Sequence, residues 1–168
     1  GKDKKVLMDR SVVNYRICNN IPEGVEVIDA TDPTVFMKAI KNETELENTR
    51  KAHVKDAVAM IKFMYWLKTN VGKMRITEIS AADYLEELRS QQEGFLDLSF
   101  DTICGYAQHG AIVHYAATPE TDVEIKPESF LLVDSGGHYL EGTTDITRTF
   151  AFGEVTDEMK SDFTRVFR

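Results

Sequence analysis

"LLVDSGGHYLEGTTDITRT", residues 131–149, places Asp134 and Asp145 eleven positions apart in β-prone sequence, with Gly136, Gly137 and Gly142 between them. Folded as a hairpin with Asp134 opposite Asp145, the stretch centres its turn between Tyr139 and Leu140 and leaves two arms of similar length. Directly opposed residues share a face, with Cβ atoms about 4.5–5.5 Å apart, and like charges facing each other destabilise a sheet. Something must offset that repulsion. One carboxylate takes up a proton, or a divalent cation sits between them, since hard cations favour oxygen ligands. The flanking residues favour the cation: the two glycines deny bulk beside Asp134. Thr143, Thr147 and Thr149 share the strand parity of Asp145 and offer hydroxyls that orient ligands. Two exposed acids near a turn would produce the same spacing, so the spacing alone does not decide.

Working outward, the period of the chain changes near residue 95. Before it, "TELENTRKAHVKDAVAMIKFMYWLK" reads as a long helix, with Thr44 and Glu47 fitting a capping box and Val54, Val58, Ile61 and Tyr65 marking one apolar face. "TEISAADYLEELRSQQ" reads as a second helix, with Ser80 and Asp83 as a capping pair, Ile79, Ala82, Leu85 and Leu88 on one face, and Gly94 closing it. "EELRSQQE" reads as a solvated face, and Trp66 is expected to pack on the sheet. After residue 95 the pattern is strand-like: "FLDLSFDTI", with Leu96, Leu98 and Phe100 alternating, then "AIVHYAAT", "SFLLVDSGG" and "TTDITRTFAF". "TDEMKSDFTRVFR" begins another helix, capped by Thr156 or Asp157. Upstream, "VEVIDA" reads as a strand and "TDPTVFMKAIKN" as a short helix with Asp32 as N-cap and Pro33 at its first position. This order predicts an α+β fold with helices on one face of a mainly antiparallel sheet. It also predicts a division into residues 1–32, the tail of an upstream domain with its linker, and 33–168.

The 168 residues carry a net charge of −8, which argues against a nucleic-acid partner and suits cationic ligands. Cys18 and Cys104 have no metal-type spacing and read as reduced thiols of a cytoplasmic protein. No apolar run approaches the length of a membrane span, and "GKDKK" has no hydrophobic segment behind it. The absence of an initiator Met and the helix-like "TRVFR" at the end suggest that both ends are cut.

"VDSGGHYLEGTTDITRTFAFG" resembles the first metal-ligand segment of the pita-bread metallopeptidases, in particular the aminopeptidase P (Xaa-Pro aminopeptidase) family. "KNETELENTRKAHVKDAVA", "TEISAADYLEELRSQQEGFLDLSFDTI" and "GAIVHYAATPET" resemble the same family in the same order, over about residues 38–168. The resemblance implies that 33–168 is the first half of a pita-bread (creatinase/aminopeptidase-like) domain. It implies that Asp134 is the first metal-binding aspartate and that Asp145 bridges two metal ions. His114, in "IVHY", would contact substrate and help stabilise the reacting carbonyl. The implied cofactors are two divalent ions, commonly manganese, with zinc or cobalt possible. The implied substrates are peptides with proline second, and the implied state is a cytoplasmic homodimer of the full-length protein, acting on neither nucleic acid nor membrane.

One histidine and two glutamates complete the family's metal set downstream of the second aspartate, and nothing in these 168 residues matches them. The chain by itself is therefore expected to be inactive, and its inner face exposed and apolar. Of the other histidines, His53 reads as a surface residue of the long helix, His109 as a weaker candidate for the rim of a site, and His138 as solvated. Two alternatives remain: a prolidase that cleaves dipeptides, and a non-catalytic pita-bread module that binds peptides or histones without metal. Retention of Asp134, Asp145 and His114 argues against the second.

Overall fold

Residues 4–168 are described in the computed structural model, and they divide into a unit ending at Thr44 and a unit spanning Glu45–Arg168. The first three residues of the N-terminal stretch lie outside the described residues. In the first unit, β1 (Lys5–Met8) pairs in parallel with β2 (Glu26–Asp29), and a short helix, α1 (Tyr15–Asn19), lies in the connection between them. The strand expected at "VEVIDA" is present; β1 and α1 carry too few periodic residues to be read from sequence. α2 (Pro33–Ala39) begins as expected. Asp32 Oδ1 accepts the Thr34 N–H at 2.8 Å, and Pro33 occupies a first-turn position that needs no donor.

The second unit is built on α3 (Glu43–Asn70) and α4 (Glu78–Ser90), which cover one face of an antiparallel sheet of order β4-β5-β8: Ile103–Tyr106, Phe130–Ser135 and Ile146–Ala151. A second antiparallel sheet, β3-β6-β7, contains Phe95–Leu98, Gly137–Tyr139 and Gly142–Thr143. The core joins Ala59, Met60, Phe63 and Leu67 of α3 to Leu85 and Leu88 of α4 and to Leu131, Val133 and Phe150 of the sheet. Burying these large apolar side chains stabilises the unit by about 1.5–3 kcal/mol each relative to exposure. α5 (Asp157–Phe167) follows, with Thr156 Oγ1 accepting the Met159 N–H; none of its residues is buried.

The helices are where sequence periodicity suggested, but their faces and caps differ. Val54, Val58, Ile61 and Tyr65, expected to face the core, are all exposed, and Ala52, Asp56, Ala59, Met60, Phe63 and Leu67 are buried instead. Apolar residues ring α3 between 57 and 67, so periodicity alone cannot choose a face; packing against α4 and the sheet does. Thr44 lies inside the first turn of α3, so the expected capping box is not formed there. The α4 capping box is one turn earlier than expected, with Thr77 and Ser80 exchanging side-chain and backbone bonds at 2.8 and 3.2 Å. Gly94, expected to close α4, lies beyond its Gln91 cap and adopts a φ of 78° just before β3.

Three further expectations are corrected. "AIVHYAAT" is not a strand: residues 107–111 form a 3₁₀ turn, followed by irregular backbone. The alternation of Leu96, Leu98 and Phe100 fails because a bulge lies between Phe95 and Asp97. That shift exposes Leu96 and sets Phe95 edge-on to Tyr139. Trp66 packs on Tyr84 of α4, with ring centroids 4.2 Å apart, while Phe63 makes the aromatic contact to Phe150 of the sheet.

"EELRSQQE" is not a wholly solvated face either, because Arg89 is fully buried. Its Nε donates to Asp56 Oδ1 at 2.6 Å and its Nη2 to Oδ2 at 3.2 Å, and the Tyr139 hydroxyl donates to the same Oδ1 at 2.9 Å. The network ties α3, α4 and β6 together. Burial and the Asp56 charge push the Tyr139 hydroxyl well above its ordinary pKa, so it remains a donor. Removing one partner of a buried pair strands the other charge, at a cost of about 3–5 kcal/mol. Arg89→Ala is expected to lose that much in urea unfolding, and the double variant Arg89→Met with Asp56→Leu markedly less. A loss below about 1 kcal/mol for Arg89→Ala would show that the pair is not what holds the helices.

Candidate metal centre

β5 alternates cleanly. Leu131, Val133 and Ser135 are buried toward the helices, and Leu132 and Asp134 face the other way. Its pairing with β8 sets Asp134 opposite Thr147, not Asp145, and the same register continues through Tyr139 opposite Gly142. The turn is therefore one residue later than expected, at Leu140 and Glu141. Glu141 is drawn to α3 by Lys55, whose Nζ donates to Glu141 Oε1 at 2.6 Å and to the Glu93 carbonyl at 2.7 Å. Both registers have the same parity; Asp145 lies just before β8, exposed between buried Thr144 and half-buried Ile146, and strand alternation extended past Ile146 would turn it to the side of Asp134. The two acids are not directly opposed, so the repulsion that opposition would impose does not arise.

The long hairpin changes sheets between its two acids. β5 and β8 belong to one sheet and β6 and β7 to the other, and the break falls at Gly136 and Thr144. The Thr144 N–H donates to Gly137 O at 2.9 Å, and Thr144 Oγ1 accepts the Gly137 N–H at 3.0 Å. Ser99 closes the break from the side: its N–H donates to Gly136 O at 3.1 Å and its hydroxyl to Thr144 O at 2.9 Å. A Cβ on Gly136 would collide with the Thr144 carbonyl oxygen and with Ser99 Oγ. The glycine is thus required by this close approach, rather than to clear space beside Asp134.

Of the three threonines, Thr147 bonds to Asp134: its hydroxyl donates to Asp134 Oδ1 at 2.8 Å. Thr143 Oγ1 is instead 2.8 Å from His138 Nδ1 on the exposed side of the hairpin. Asp134 and Thr147 line a cleft of about 270 Å³ with Ile103, Leu132 and residues 110–114, His114 among them. Asp145 is exposed and lies outside that lining. His114 has a φ of 56°, a left-handed conformation in which a non-glycine residue stores roughly 1–3 kcal/mol of strain. Strained backbone of this kind persists only where the surroundings over-determine it.

His109 does not share the cleft. It lines a separate cavity of about 530 Å³ with Tyr106, Gln108, Glu124, Lys126 and Glu128. Its ring stacks on Tyr115 at 4.6 Å, and its Nδ1 lies 2.9 and 3.1 Å from the oxygens of Glu78, a fully buried carboxylate. Glu78, Thr144 and the Asp56–Arg89 pair carry much of the polar structure here, and sequence gives little sign of them. A polar residue in a helix's first turn, or an arginine among glutamates, reads as surface.

The Asp134 carboxylate, bonded by the Thr147 hydroxyl, offers hard oxygen donors of the kind that divalent cations favour. Among the described residues no three His, Cys, Asp or Glu side chains are grouped to hold a metal ion. A carboxylate and a histidine thus line one cleft. The chain belongs to metallopeptidase family M24, whose family model matches residues 47–168. Aminopeptidase P2 of Arabidopsis thaliana is 46% identical over 148 residues, 88% of this chain and 20% of that protein. An X-prolyl aminopeptidase from Caenorhabditis elegans, described as a cytosolic enzyme with a di-nuclear active site, superimposes with a TM-score of 0.73 at 36% identity, over 81% of this chain and 22% of its own. A Xaa-Pro dipeptidase from Bacillus anthracis shares the fold, with a TM-score of 0.72 at 24% identity, over 98% of this chain and 44% of its own. The chain thus spans only about a fifth of the first two proteins and under half of the third. Among the described residues no helix is long and apolar enough to cross a membrane.

The sheet switch can be tested directly. Gly136→Ala is expected to cost about 1–3 kcal/mol of unfolding free energy, since the added methyl must displace backbone. Gly142→Ala, whose Cβ would make only ordinary contact with Ala52 at 3.7 Å, is expected to stay within about 0.5 kcal/mol of the parent. Equal urea midpoints for the two variants would refute the requirement for glycine at 136.

Proposed function

We propose that residues 33–168 are the first half of the catalytic domain of a dinuclear-metal aminopeptidase that releases the N-terminal residue from peptides with proline second. The observation that supports this reading is the cleft that Asp134 and His114 line together, with Thr147 bonded to the Asp134 carboxylate and Asp145 two residues before Thr147. The names of the relatives point the same way. Curated relatives at 39–47% identity are called aminopeptidase P or Xaa-Pro aminopeptidase, whereas the likeness to prolidases at 22–24% identity supports the fold alone.

Asp134 and Asp145 would hold the metal pair, and Thr147 would keep the Asp134 carboxylate turned toward it. When bound, two divalent ions supply Lewis-acid polarisation and make water a nucleophile near neutral pH. Manganese is the ion that the family resemblance implies, and carboxylate ligands suit it as they suit magnesium and calcium. His114, at the mouth of the cleft, would hydrogen-bond the scissile carbonyl oxygen and stabilise the charge developing on it. Proline in the second position offers no N–H and has a fixed φ, so its recognition depends on the shape of a pocket. The remaining ligands and the general base would come from outside these 168 residues, and the working protein is proposed to be a cytoplasmic homodimer.

Two carboxylates alone compete poorly with water for a divalent ion. The 168-residue chain is therefore expected to release no N-terminal residue from a Xaa-Pro peptide with added manganese. A full-length protein carrying this sequence is expected to bind about two ions per chain. There, Asp134→Asn and Asp145→Asn should each lower kcat/KM by more than the roughly 10–100-fold typical of losing an outer-shell partner. Full-length protein that binds no metal and leaves Xaa-Pro peptides intact would point instead to a peptide-binding module. Turnover by the 168-residue chain near that of the full-length protein would overturn the requirement for the missing ligands.

A further inference from the structure

The segment carrying His114 has little regular structure of its own. It leaves β4 at Tyr106, makes the 3₁₀ turn 107–111, and ends on Tyr115, with Ala107 and His114 both at positive φ, 50° and 56°. Irregular backbone with strained residues is ordinarily mobile. A residue that must meet a substrate atom to within a fraction of an ångström needs something to fix it.

One side chain holds both ends of this segment. Glu78, in the first turn of α4, is fully buried. Its Oε1 accepts the Tyr106 N–H at 2.7 Å, its Oε2 accepts the Tyr115 hydroxyl at 2.9 Å, and His109 Nδ1 sits against both oxygens. All three partners belong to the one segment, at its start, middle and end. A buried carboxylate is costly unless its oxygens are hydrogen-bonded, and here that requirement is met only when the segment is in this conformation. The α4 N-terminus adds its own favourable field. The stacking of His109 on Tyr115 makes the clamp rigid, and burial keeps the Tyr115 hydroxyl protonated by raising its pKa. Gly105 assists, since a Cβ there would press on the backbone of Gly110 at 2.9–3.0 Å.

We propose that Glu78 is a positioning residue, whose carboxylate fixes residues 106–115 and thereby holds His114 at the mouth of the Asp134 cleft. Among the described residues Glu78 forms no hydrogen bond to one that lines the cleft, and it acts through Tyr106, His109 and Tyr115. The proposal deepens the functional reading above and rests on the role given there to His114.

Two measurements separate the two ideas. In the 168-residue chain, Glu78→Gln and the milder Tyr115→Phe are followed by NMR at the His114 amide and imidazole, with Leu85 and Val133 as core reporters. Shifted and broadened His114 signals with unchanged core signals support the clamp, and unchanged His114 signals in both variants overturn it. In the full-length protein, Glu78→Gln is expected to lower kcat by roughly 10–100-fold, the scale of a displaced catalytic group, with a much smaller change in KM. In a His114→Ala background the same substitution is expected to change kcat by less than about 2-fold, because coupled residues are not additive. Effects that multiply would overturn the proposal in favour of a general structural role. If His114→Ala alone leaves kcat unchanged, the role of His114 fails, and the NMR result still decides whether Glu78 holds the loop.

Discussion

The close approach of Thr144 to Gly136 is the constraint on which the site depends. Two backbone segments meet there at a distance that no side chain on residue 136 would allow, and Ser99 bonds to both. The meeting point passes one hairpin from the β4-β5-β8 sheet to the β3-β6-β7 sheet. It fixes the register on either side, and register decides which face each acid takes, because a slip of one residue in pairing turns every side chain over. In β5 that register sets Asp134 on the outer face and Leu131 and Val133 on the inner one.

Two buried carboxylates extend this order into the helices. Asp56 binds Arg89 and Tyr139 and so ties α3, α4 and the lower hairpin together. Glu78 binds Tyr106, His109 and Tyr115 and so ties α4 to the segment that ends on the cleft. Both are fully buried, and both are fed by donors from other elements. Such pairs add little net stability over apolar packing, but they penalise every arrangement that leaves them unpaired. That penalty selects one conformation for backbone that lacks a regular ladder.

Periodicity and β-branched content reveal α3, α4, β5 and β8, and the resemblance of "VDSGGHYLEGTTDITRTFAFG" identifies the family, because in these places local preference and tertiary environment agree. The face of α3 is not legible: Val58, Ile61 and Tyr65 are as apolar as Ala59, Met60 and Phe63, and only the position of Arg89 and the sheet distinguishes them. "AIVHYAAT" reads as a strand because its composition is that of one, but Glu78 draws Tyr115 and His109 into a turn that local propensity opposes. The turn is misplaced by one residue, and the pairing by two, where Glu141 bonds Lys55 of α3, a contact 86 positions distant in sequence. Arg89 and Glu78 read as solvated because charge seldom enters a core, and their partners lie on other elements.

The position of the sheet switch gives the two acids unequal histories under insertion or deletion. Asp134 sits within a ladder flanked by β4 and β8, whereas Asp145 follows the break and inherits its place from the short β6–β7 end. A lengthened tip at Leu140 and Glu141 could be absorbed below the break, provided that Thr144 keeps its hold on Gly137. A single residue gained or lost between Thr144 and Thr147 could not, because it would rotate Asp145 away while leaving Asp134 untouched. A change of chain length in this hairpin is therefore borne more easily at its tip than in the three positions that follow Thr144.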